Sequence, residues 1–318
     1  MRPAGRQAAR QTGRQEDLSR WPALILAAGL GTRLQPLSSV RAKPALPIAG
    51  VPLIVRTLES LRSSGVRRVV VNLHSCPATI TGLVGDGSQF GLDVRYSWEA
   101  DVLGSAGGPA RALPLLAADR FLIINGDMIT NVDLRALAAR HIETNAMVTM
   151  AVIDGMTDYN GVIADDRGIV SGFGRAAGAY HFIGVQAVNA SVFAGVDPAA
   201  KSETVHGIYP TLIATKPEAV RVFHSTAEYF DIGSPRDYLE TAKTIARREG
   251  HGLDRGADCE VPADAQLVDT ILWDRVRIGA GAALTNCIAA DDVVIAPGAE
   301  FSRASLVMRD NKLVATPF

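Results

Sequence analysis

The sequence Leu26-Ala-Ala-Gly-Leu-Gly-Thr-Arg-Leu-Gln-Pro-Leu37, followed by Lys43-Pro-Ala-Leu-Pro-Ile-Ala-Gly50, decides the fold. A short apolar run, Ala23–Ala28, leads into a glycine-bearing turn that carries Arg33, and Lys43 follows between proline-rich flanks. Glycine lets backbone N–H groups approach an anion, arginine offers a planar fork to phosphate oxygens, and lysine supplies a point charge. The stretch therefore predicts a phosphate-binding loop at the end of a first β-strand.

Two common phosphate loops are excluded by the residues of this turn. A P-loop ends in Gly-Lys-Ser/Thr, which does not follow here, and a dinucleotide-binding fingerprint needs a third glycine where the chain has Leu34. The whole string resembles the signature of the sugar-phosphate nucleotidyltransferases (NDP-sugar pyrophosphorylases), G-x-G-T-R-L-x-P-L followed by P-K-P-L-x-P. The alternative is an ordinary strand–turn–helix with an incidental arginine.

The resemblance implies a role for each part of the signature. Arg33 would hold the departing pyrophosphate and Lys43 would stabilise charge on the α-phosphate. The nucleotide would be bound by the loop residues Leu26, Ala27, Ala28, Gly29, Gly31, Thr32 and Arg33.

Length and charge limit the class of protein. A chain of 318 residues predicts one large domain plus a smaller one. A formal net charge of -1 argues against nucleic-acid binding through bulk electrostatics, and the sequence has no apolar run of membrane-spanning length. We therefore expect no nucleic-acid partner and no membrane partner, and the resemblance implies small-molecule substrates.

Two further features bear on location. Cys76, Cys259 and Cys287 are far apart and lack metal-ligand spacing, which is typical of reduced thiols in a cytoplasmic protein. Residues 1–20 are polar and arginine-rich without the apolar core of a secretory signal, so they are expected to form a disordered basic arm. A transit peptide is the alternative interpretation of this arm.

The next 230 or so residues, 21–250, are expected to form an α/β catalytic domain. Apolar runs alternate with segments of helical periodicity, which favours a Rossmann-like mixed, mostly parallel sheet with helices on both faces. The strand-like runs are Ala23–Ala28, Arg68–Leu73, Val94–Trp98, Phe121–Asn125 and Met147–Ile153, and the helical ones are Pro52–Ser64, Gly107–Leu116 and Leu134–Thr144. Beyond Asp154 a hairpin (Gly161–Ala164 with Ile169–Phe173), a strand (Phe182–Asn189) and a helix (Arg236–Arg248) are predicted.

Residues 251–318 contain an internal repeat. Val261–Leu267, Ile278–Leu284 and Ile295–Phe301 align with one another, with aliphatic residues six apart and alanine in a common slot. Hexapeptide spacing of this kind predicts a short left-handed parallel β-helix. In the resembling family such a domain commonly carries assembly contacts, so a homo-oligomer is expected.

Two aspartates follow apolar strands and are candidate metal ligands. Asp127 ends Phe121-Leu-Ile-Ile-Asn-Gly-Asp127, and Asp231 ends an apolar run before Ile-Gly-Ser-Pro. Mg²⁺ typically takes one or two carboxylates together with phosphate oxygens and water, so Mg²⁺ is the expected cofactor. Both segments also resemble the family's metal motifs, N-G-D and D-I-G-T-P, with Ser234 in place of threonine. The alternative is that each aspartate is a turn or cap residue.

The segment Tyr96–Gly108 is similar to the family's base-reading loop, E-x-x-x-L-G-T-A-G. The resemblance implies nucleotide binding by Glu99, Gly104 and Ser105. An acceptor-only carboxylate at Glu99 would suit the adjacent N1–H and N2–H donors of guanine. A solvated loop acid is the alternative interpretation of Glu99.

The sugar-phosphate end is less well defined. Gly161 lies in a segment that resembles the family's Y-G-V turn, although a simple strand start explains it equally well. Many relatives carry a Glu-Lys pair after the hairpin, whereas this chain has Phe173-Gly-Arg175. Arg175 is the candidate replacement for that lysine, with a solvated loop arginine as the alternative.

The expected reaction is nucleotidyl transfer from a nucleoside triphosphate to a sugar 1-phosphate, with release of pyrophosphate. GTP with mannose 1-phosphate is the first expectation. UTP or dTTP with a glucose, hexosamine, heptose or N-acetylmuramate 1-phosphate is the alternative. A regulatory subunit that binds nucleotide sugar without catalysis, and an acyltransferase on the β-helix, are readings of other classes.

Overall fold

A computed structural model describes residues 15–155, 161–253 and 255–318. Its α-helices are α1 (Leu53–Ser64), α2 (Pro77–Val84), α3 (Gly104–Leu116), α4 (Leu134–Glu143), α5 (Tyr209–Thr215) and α6 (Pro235–Glu249), and Thr204–Ile208 forms a π-helix before α5. Short 3-10 helices cover Leu18–Arg20, Thr32–Leu34, Leu37–Ser39, Lys43–Ala45, Ser88–Phe90 and Ala190–Val192.

The strands are β1 (Ala23–Leu26), β2 (Pro47–Ile48), β3 (Val51–Pro52), β4 (Arg68–Leu73), β5 (Asp93–Trp98), β6 (Arg120–Asn125), β7 (Met128–Thr130), β8 (Val148–Ile153), β9 (Gly161–Ala164), β10 (Val170–Gly174), β11 (His181–Asn189), β12 (Val220–His224), β13 (Tyr229–Asp231), β14 (Gln266–Val268), β15 (Ile271–Leu272), β16 (Arg277–Ile278), β17 (Ala283–Thr285), β18 (Ile288–Ala289), β19 (Val294–Ile295), β20 (Glu300–Ser302), β21 (Ala304–Arg309) and β22 (Lys312–Pro317).

A seven-stranded sheet in the order β12-β8-β11-β6-β1-β4-β5 forms the centre of the larger domain. All neighbouring strands are parallel except β11, which is antiparallel to both β6 and β8. The predicted mixed, mostly parallel sheet is therefore confirmed. Because β1 lies between β4 and β6, the carboxyl ends of these three strands meet at one edge.

Helices cover both faces of this sheet, as predicted. Side chains alternate across a strand, so Ala23 and Ile25 of β1 face a core formed with α1, α2 and α4, whereas Leu24 faces a core formed with α3 and α5. All three side chains are fully buried. The helix–sheet packing fixes the sheet edge from which the candidate site is built.

The repeat after residue 251 folds into parallel coils. Strand β14 pairs with β17 and β17 with β20, in registers that advance from Gln266 to Ala283 to Glu300. The strands β15, β18 and β21 form a second parallel face, and β16 and β19 a third. The parallel β-helix is confirmed, and its left-handed coiling stays a prediction. The antiparallel strand β22 pairs with β21 and completes this domain.

Part of the segment predicted to be a disordered arm is folded. Within the arm assigned to residues 1–20, Leu18–Arg20 form a 3-10 helix capped by the Asp17 carboxylate, which accepts from the Ser19 N–H group. Leu18 is 1 % exposed and packs into the core beside α1 and α4. Residues 1–14 lie outside the described part of the chain. Among the described helices, none is long and apolar enough to span a membrane.

Candidate active site

A cavity of about 280 Å³ opens at the carboxyl ends of β1, β4 and β6. Most of the residues expected to bind nucleotide line it, together with Lys43 and with Asp127, one of the two candidate metal ligands. The lining residues are Leu26, Ala27, Ala28, Gly29, Gly31, Lys43, Pro44, Asn72, Glu99, Val102, Gly104, Ser105, Asn125 and Asp127. The sequence motifs, far apart along the chain, therefore converge on one cleft.

The glycine turn is shaped by its contact with Ser38. Gly31 has a left-handed backbone (φ 60°), and a Cβ atom there would lie 3.1 Å from the Ser38 Cβ atom. The Ser38 hydroxyl donates a hydrogen bond of 2.9 Å to the Gly31 carbonyl oxygen. Thr32 and Arg33 follow in a short helix whose last residue, Leu34, is fully buried. Ser38 and the buried Leu34 thus hold the turn in place, whereas Thr32 and Arg33 are exposed.

Lys43 and Asp127 form an ion pair at the centre of the cleft. The Lys43 Nζ atom lies 2.8 Å from the Asp127 Oδ2 atom, and Lys43 is only 8 % exposed. Gly126 makes this approach possible, since a Cβ atom there would lie 2.8 Å from the Leu26 carbonyl oxygen and 3.0 Å from the Pro44 Cγ atom. A side chain at position 126 would therefore push the two signature segments apart.

Asp231 lies next to Asp127. Strand β13 pairs antiparallel with β7 so that Asp231 is opposite Met128, and the Ile232 N–H group donates to the Asp127 carbonyl oxygen at 3.0 Å. Burial and the charge of Asp127 raise the pKa of Asp231, while Lys43 and Arg33 act in the opposite direction. The two predicted acids and the two predicted cations are thus close enough to interact electrostatically.

The two carboxylates suit a hard divalent cation. Burial and, after it, repulsion from the neighbouring Asp127 raise the pKa of Asp231, and a cation bound between the two carboxylates would remove that repulsion. Within residues 15–155, 161–253 and 255–318, no group of three or more His, Cys, Asp or Glu side chains is arranged to hold a metal ion. A two-carboxylate site completed by phosphate oxygens and water fits these residues better than an all-protein metal site.

Asn72 was not among the predicted site residues, and it connects the Ala27 side of the cavity with the Glu99 side. Its Oδ1 atom accepts from the Ala27 N–H group at 2.6 Å, and its Nδ2 atom donates to Glu99 Oε1 at 2.7 Å. The Leu103 N–H group donates to Glu99 Oε2 at 2.9 Å. Asn72 was the single polar residue in the buried run Val69–Leu73, and that position was the available signal.

Glu99 has partners inside the protein in this network. Glu99 lines the cavity, but it is 1 % exposed and both of its carboxylate oxygens accept hydrogen bonds from protein groups. Its carboxylate holds Asn72 and the start of α3 in place, and contact between Glu99 and a guanine base stays a prediction.

The predicted residues Gly104 and Ser105 meet a segment that the sequence did not connect with them. The Glu203 carboxylate accepts from the Ser105 N–H group at 3.1 Å and from its hydroxyl at 2.7 Å. A Cβ atom at Gly104 would lie 2.6 Å from the Ser202 carbonyl oxygen, so only glycine fits there. No local signal pointed to Glu203, because the contact joins residues about a hundred positions apart.

Gly161 and Arg175 are not among the residues that line this cavity. Gly161 begins β9, and a Cβ atom there would lie 2.5 Å from the Ala179 Cβ atom, so close packing explains the glycine. Arg175 follows β10 and is exposed. The neighbouring residues 156–160, including the predicted motif residue Tyr159, lie outside the described part of the chain.

Comparison with known proteins agrees with this arrangement. Residues 22–248 match the family described as nucleotidyl transferase. The chain is 25% identical over 303 residues to a mannose-1-phosphate guanylyltransferase of Mycobacterium tuberculosis, covering 88% of this chain and 83% of that protein. It is 44% identical over 115 residues to an N-acetylmuramate alpha-1-phosphate uridylyltransferase of Neisseria meningitidis, covering 36% of this chain and 50% of that protein.

Solved structures show the same fold. HddC from Yersinia pseudotuberculosis superposes with a TM-score of 0.60 at 23% identity, covering 71% of this chain and 99% of that chain. The family match spans most of the chain, and the cleft brings together the Gly29–Gly31 turn, Lys43 and Asp127. The chain belongs to the nucleotidyl transferase family, and within that family it resembles the sugar-phosphate enzymes of the mannose-1-phosphate guanylyltransferase type.

Proposed function

We propose that this protein transfers a nucleotidyl group from a nucleoside triphosphate to a sugar 1-phosphate and releases pyrophosphate. One observation carries the proposal: the signature lysine pairs with Asp127 in the cleft, and Asp231 lies close enough to interact electrostatically with both. A polyanion bound there would meet the Lys43 ammonium, and the two neighbouring carboxylates would suit a divalent cation bound with it. This is the charge arrangement that an attack of one phosphate on another requires.

The chain's own residues would act mainly by position and charge. The attacking sugar phosphate is already anionic, so no general base is needed, and catalysis rests on holding two polyanions in line. Lys43 would stabilise charge on the α-phosphate. Arg33 and the N–H groups of the Gly29–Thr32 turn would hold the departing pyrophosphate. Mg²⁺, held by Asp127 and Asp231, would supply charge neutralisation between the two phosphates.

GTP with mannose 1-phosphate is the first candidate substrate pair. Its support is the breadth of the resemblance, since the Mycobacterium tuberculosis guanylyltransferase aligns with 88% of this chain. UTP with N-acetylmuramate 1-phosphate is the second candidate. It is supported by a higher identity, 44%, to the Neisseria meningitidis uridylyltransferase, although over a shorter segment. Because Glu99 is directed at Asn72 and Leu103, the choice of base rests on these relatives and on experiment.

The decisive experiment is a matrix of four nucleoside triphosphates against a panel of sugar 1-phosphates. Nucleotide-sugar product is identified by chromatography and mass spectrometry, and Mg²⁺ is compared with EDTA. If GTP and mannose 1-phosphate are the substrates, GDP-mannose should be formed fastest, and only when the divalent ion is present. UDP-N-acetylmuramate as the fastest product would replace it with the second candidate.

The regulatory reading is tested in the same assay. A catalytically silent relative would not need Arg33, Lys43, Asp127 and Asp231, whereas this chain retains all four. If the purified protein forms no nucleotide sugar from any pair but binds nucleotide sugars, the regulatory reading is correct and the proposed enzyme is not. Asp127→Asn serves as the control variant, because it removes a proposed metal ligand and keeps the side-chain size.

A further inference from the structure

The signature loop is tied to the β-helix on both sides of Lys43. Arg41 precedes Lys43 by two residues, and its side chain reaches into the β-helix domain. Its Nε atom donates to Asp291 Oδ2 at 2.8 Å, and its Nη2 atom contacts both Asp291 Oδ1 and Asp274 Oδ2 at 2.5 Å. The Arg41 guanidinium also lies 5.2 Å from the centre of the Trp273 ring.

Two aspartates at equivalent positions of successive β-helix coils form the acidic partner of Arg41. Asp274 and Asp291 follow equivalent strands of successive coils, β15 and β18, which pair in parallel. The Asp274 N–H group also donates to Asp291 Oδ1 at 3.0 Å, which orients that carboxylate toward Arg41. The side chains of Arg41 and Asp291 are each 14% exposed, so the pair is shielded from solvent and breaking it leaves a carboxylate without its counter-ion.

The second tie lies just beyond Lys43. The Trp273 Nε1 atom donates to the Tyr238 hydroxyl at 3.0 Å, and that hydroxyl donates to the Pro47 carbonyl oxygen at 2.8 Å. Leu46 and Ile48 are fully buried in the cluster that contains Trp273 and other β-helix residues. The segment that presents Lys43 to Asp127 is therefore held at Arg41 and at Pro47.

We propose that the β-helix is a working part of the active site, and that Arg41 is a positioning residue that holds Lys43 at its place in the cleft. The proposal rests on the function proposed above. The alternative is that these contacts only hold the two domains together, in which case losing them would affect stability alone. A displacement of about 1 Å of a catalytic group is enough to lower a rate by roughly a hundredfold, whereas lost adhesion would leave the rate of the folded fraction unchanged.

The test compares Arg41→Met with Arg275→Met. Arg275 forms a similar ion pair between successive coils, with two hydrogen bonds of 2.7 and 2.9 Å to Asp292. The side chains of Arg275 and Asp292 are 52% and 62% exposed, and Asp292 is not one of the acids that hold Arg41. We expect Arg41→Met to lower kcat at least about tenfold with KM for the triphosphate changed less than about threefold. Arg41→Lys keeps the charge but not the planar fork, so it should give an intermediate loss. Arg275→Met should leave kcat unchanged.

A double-mutant cycle separates positioning from other roles. If Arg41 acts through Lys43, Arg41→Met should lower kcat little further in a Lys43→Ala background. Losses that multiply would show that Arg41 acts independently of Lys43 and would overturn the proposal. An unchanged kcat in Arg41→Met, or an equal loss in Arg275→Met, would also overturn it. Asp291→Asn provides a second break in the same contact if Arg41→Met does not fold.

An activity-independent measurement keeps the two proposals apart. Hydrogen–deuterium exchange of peptides covering residues 34–48 should become faster in Arg41→Met and remain unchanged in Arg275→Met. If the loop is loosened but the wild-type protein forms no nucleotide sugar, the proposed function fails while the tie itself stands. If exchange of the loop is unchanged in Arg41→Met, the positioning role fails whatever the activity.

Discussion

Removing the Asn72 side chain should destabilise the larger domain, because Asn72 is the hydrogen-bond partner of two buried groups at once. Asn72→Ala takes away the acceptor of the Ala27 N–H group and the donor to one Glu99 oxygen. Asn72 is 3% exposed, Ala27 is 3% exposed and Glu99 is 1% exposed. Neither partner has free access to bulk water, so each is left without full compensation.

The magnitude follows from these two losses. A hydrogen bond to a charged group contributes about 1.5–3 kcal/mol, and a buried donor left unsatisfied costs about 1–3 kcal/mol. All three residues lie beside the cavity, where a water molecule can replace part of the lost contacts. We therefore expect Asn72→Ala to lower the free energy of unfolding by about 3 kcal/mol, a large share of the roughly 5–15 kcal/mol typical of a folded protein.

Urea denaturation followed by circular dichroism measures this loss. Asn131→Ala is the matched control, because Asn131 is an exposed asparagine whose side chain accepts a single backbone hydrogen bond, from the Glu228 N–H group. The control should lose less than about 1 kcal/mol. Combining Asn72→Ala with Glu99→Ala should recover at least about 1 kcal/mol relative to the sum of the single losses. A loss in Asn72→Ala no greater than in the control, or strictly additive losses, would refute the reasoning.

Three further predictions concern the same domain. Lys43→Ala should lower kcat by roughly a hundredfold or more in a pyrophosphate-release assay, because it removes a charge from the reacting phosphate, and near-normal turnover would contradict this role. Gly126→Ala should lower both the melting temperature and kcat, since its Cβ atom would lie 2.8 Å from the Leu26 carbonyl oxygen, whereas Gly195→Ala meets no atom within 4 Å and should change neither. Burial lowers the pKa of His141 from 6.5 to about 4, so the folded protein resists protonation that the unfolded chain accepts. Stability should therefore fall by about 2 kcal/mol between pH 7 and pH 5, and His141→Gln should flatten this part of the pH profile of urea unfolding.

The sequence predicted the parts of the fold that local patterns specify. Strand β4 was predicted with its observed bounds because five of its six residues, Val69–Leu73, are buried and form a continuous apolar run with a single polar member. The β-helix was predicted because its coils repeat in sequence as they do in space. By contrast, α2 was not predicted, since its residues Pro77–Val84 have little amphipathic contrast and include two threonines and a glycine. Strand β22, a single addition after the last repeat, was also missed.

Within the candidate site, the sequence predicted residues whose role is carried by a motif and missed those whose role depends on distant contacts. Lys43, Asp127 and Asp231 each belong to a local pattern, and the structure brings them together. Glu203 has no local pattern, because its partner Ser105 is distant in sequence. Glu99 was predicted from its motif, whereas its hydrogen bond to Asn72 was not, because sequence alone does not tell which buried partner a side chain will meet.

If a triphosphate and a divalent cation bind at this site as proposed, they have to replace the ion pair between Lys43 and Asp127. The Lys43 Nζ atom lies 2.8 Å from the Asp127 Oδ2 atom, and Lys43 is mostly buried. A divalent cation that arrives alone at Asp127 meets the charge of Lys43 and leaves that buried charge without its partner. A triphosphate that arrives with the cation supplies a new partner to Lys43 while the cation takes over Asp127. The two are therefore expected to bind cooperatively.

Mn²⁺ binding measured by electron paramagnetic resonance tests this coupling without turnover. Wild-type protein should bind Mn²⁺ weakly alone and more tightly with a triphosphate present. Lys43→Met should tighten binding of Mn²⁺ alone by about tenfold, because a repulsive charge near the carboxylates is worth on the order of 1–4 kcal/mol, and it should shrink the gain from triphosphate. Lys243→Met is the control, since Lys243 pairs with Asp269 and Glu240 and does not line the cleft. If Lys43→Met binds Mn²⁺ alone no better than wild type, Lys43 does not weaken metal binding at the carboxylates. The metal ion and the triphosphate would then bind independently of the Lys43–Asp127 ion pair.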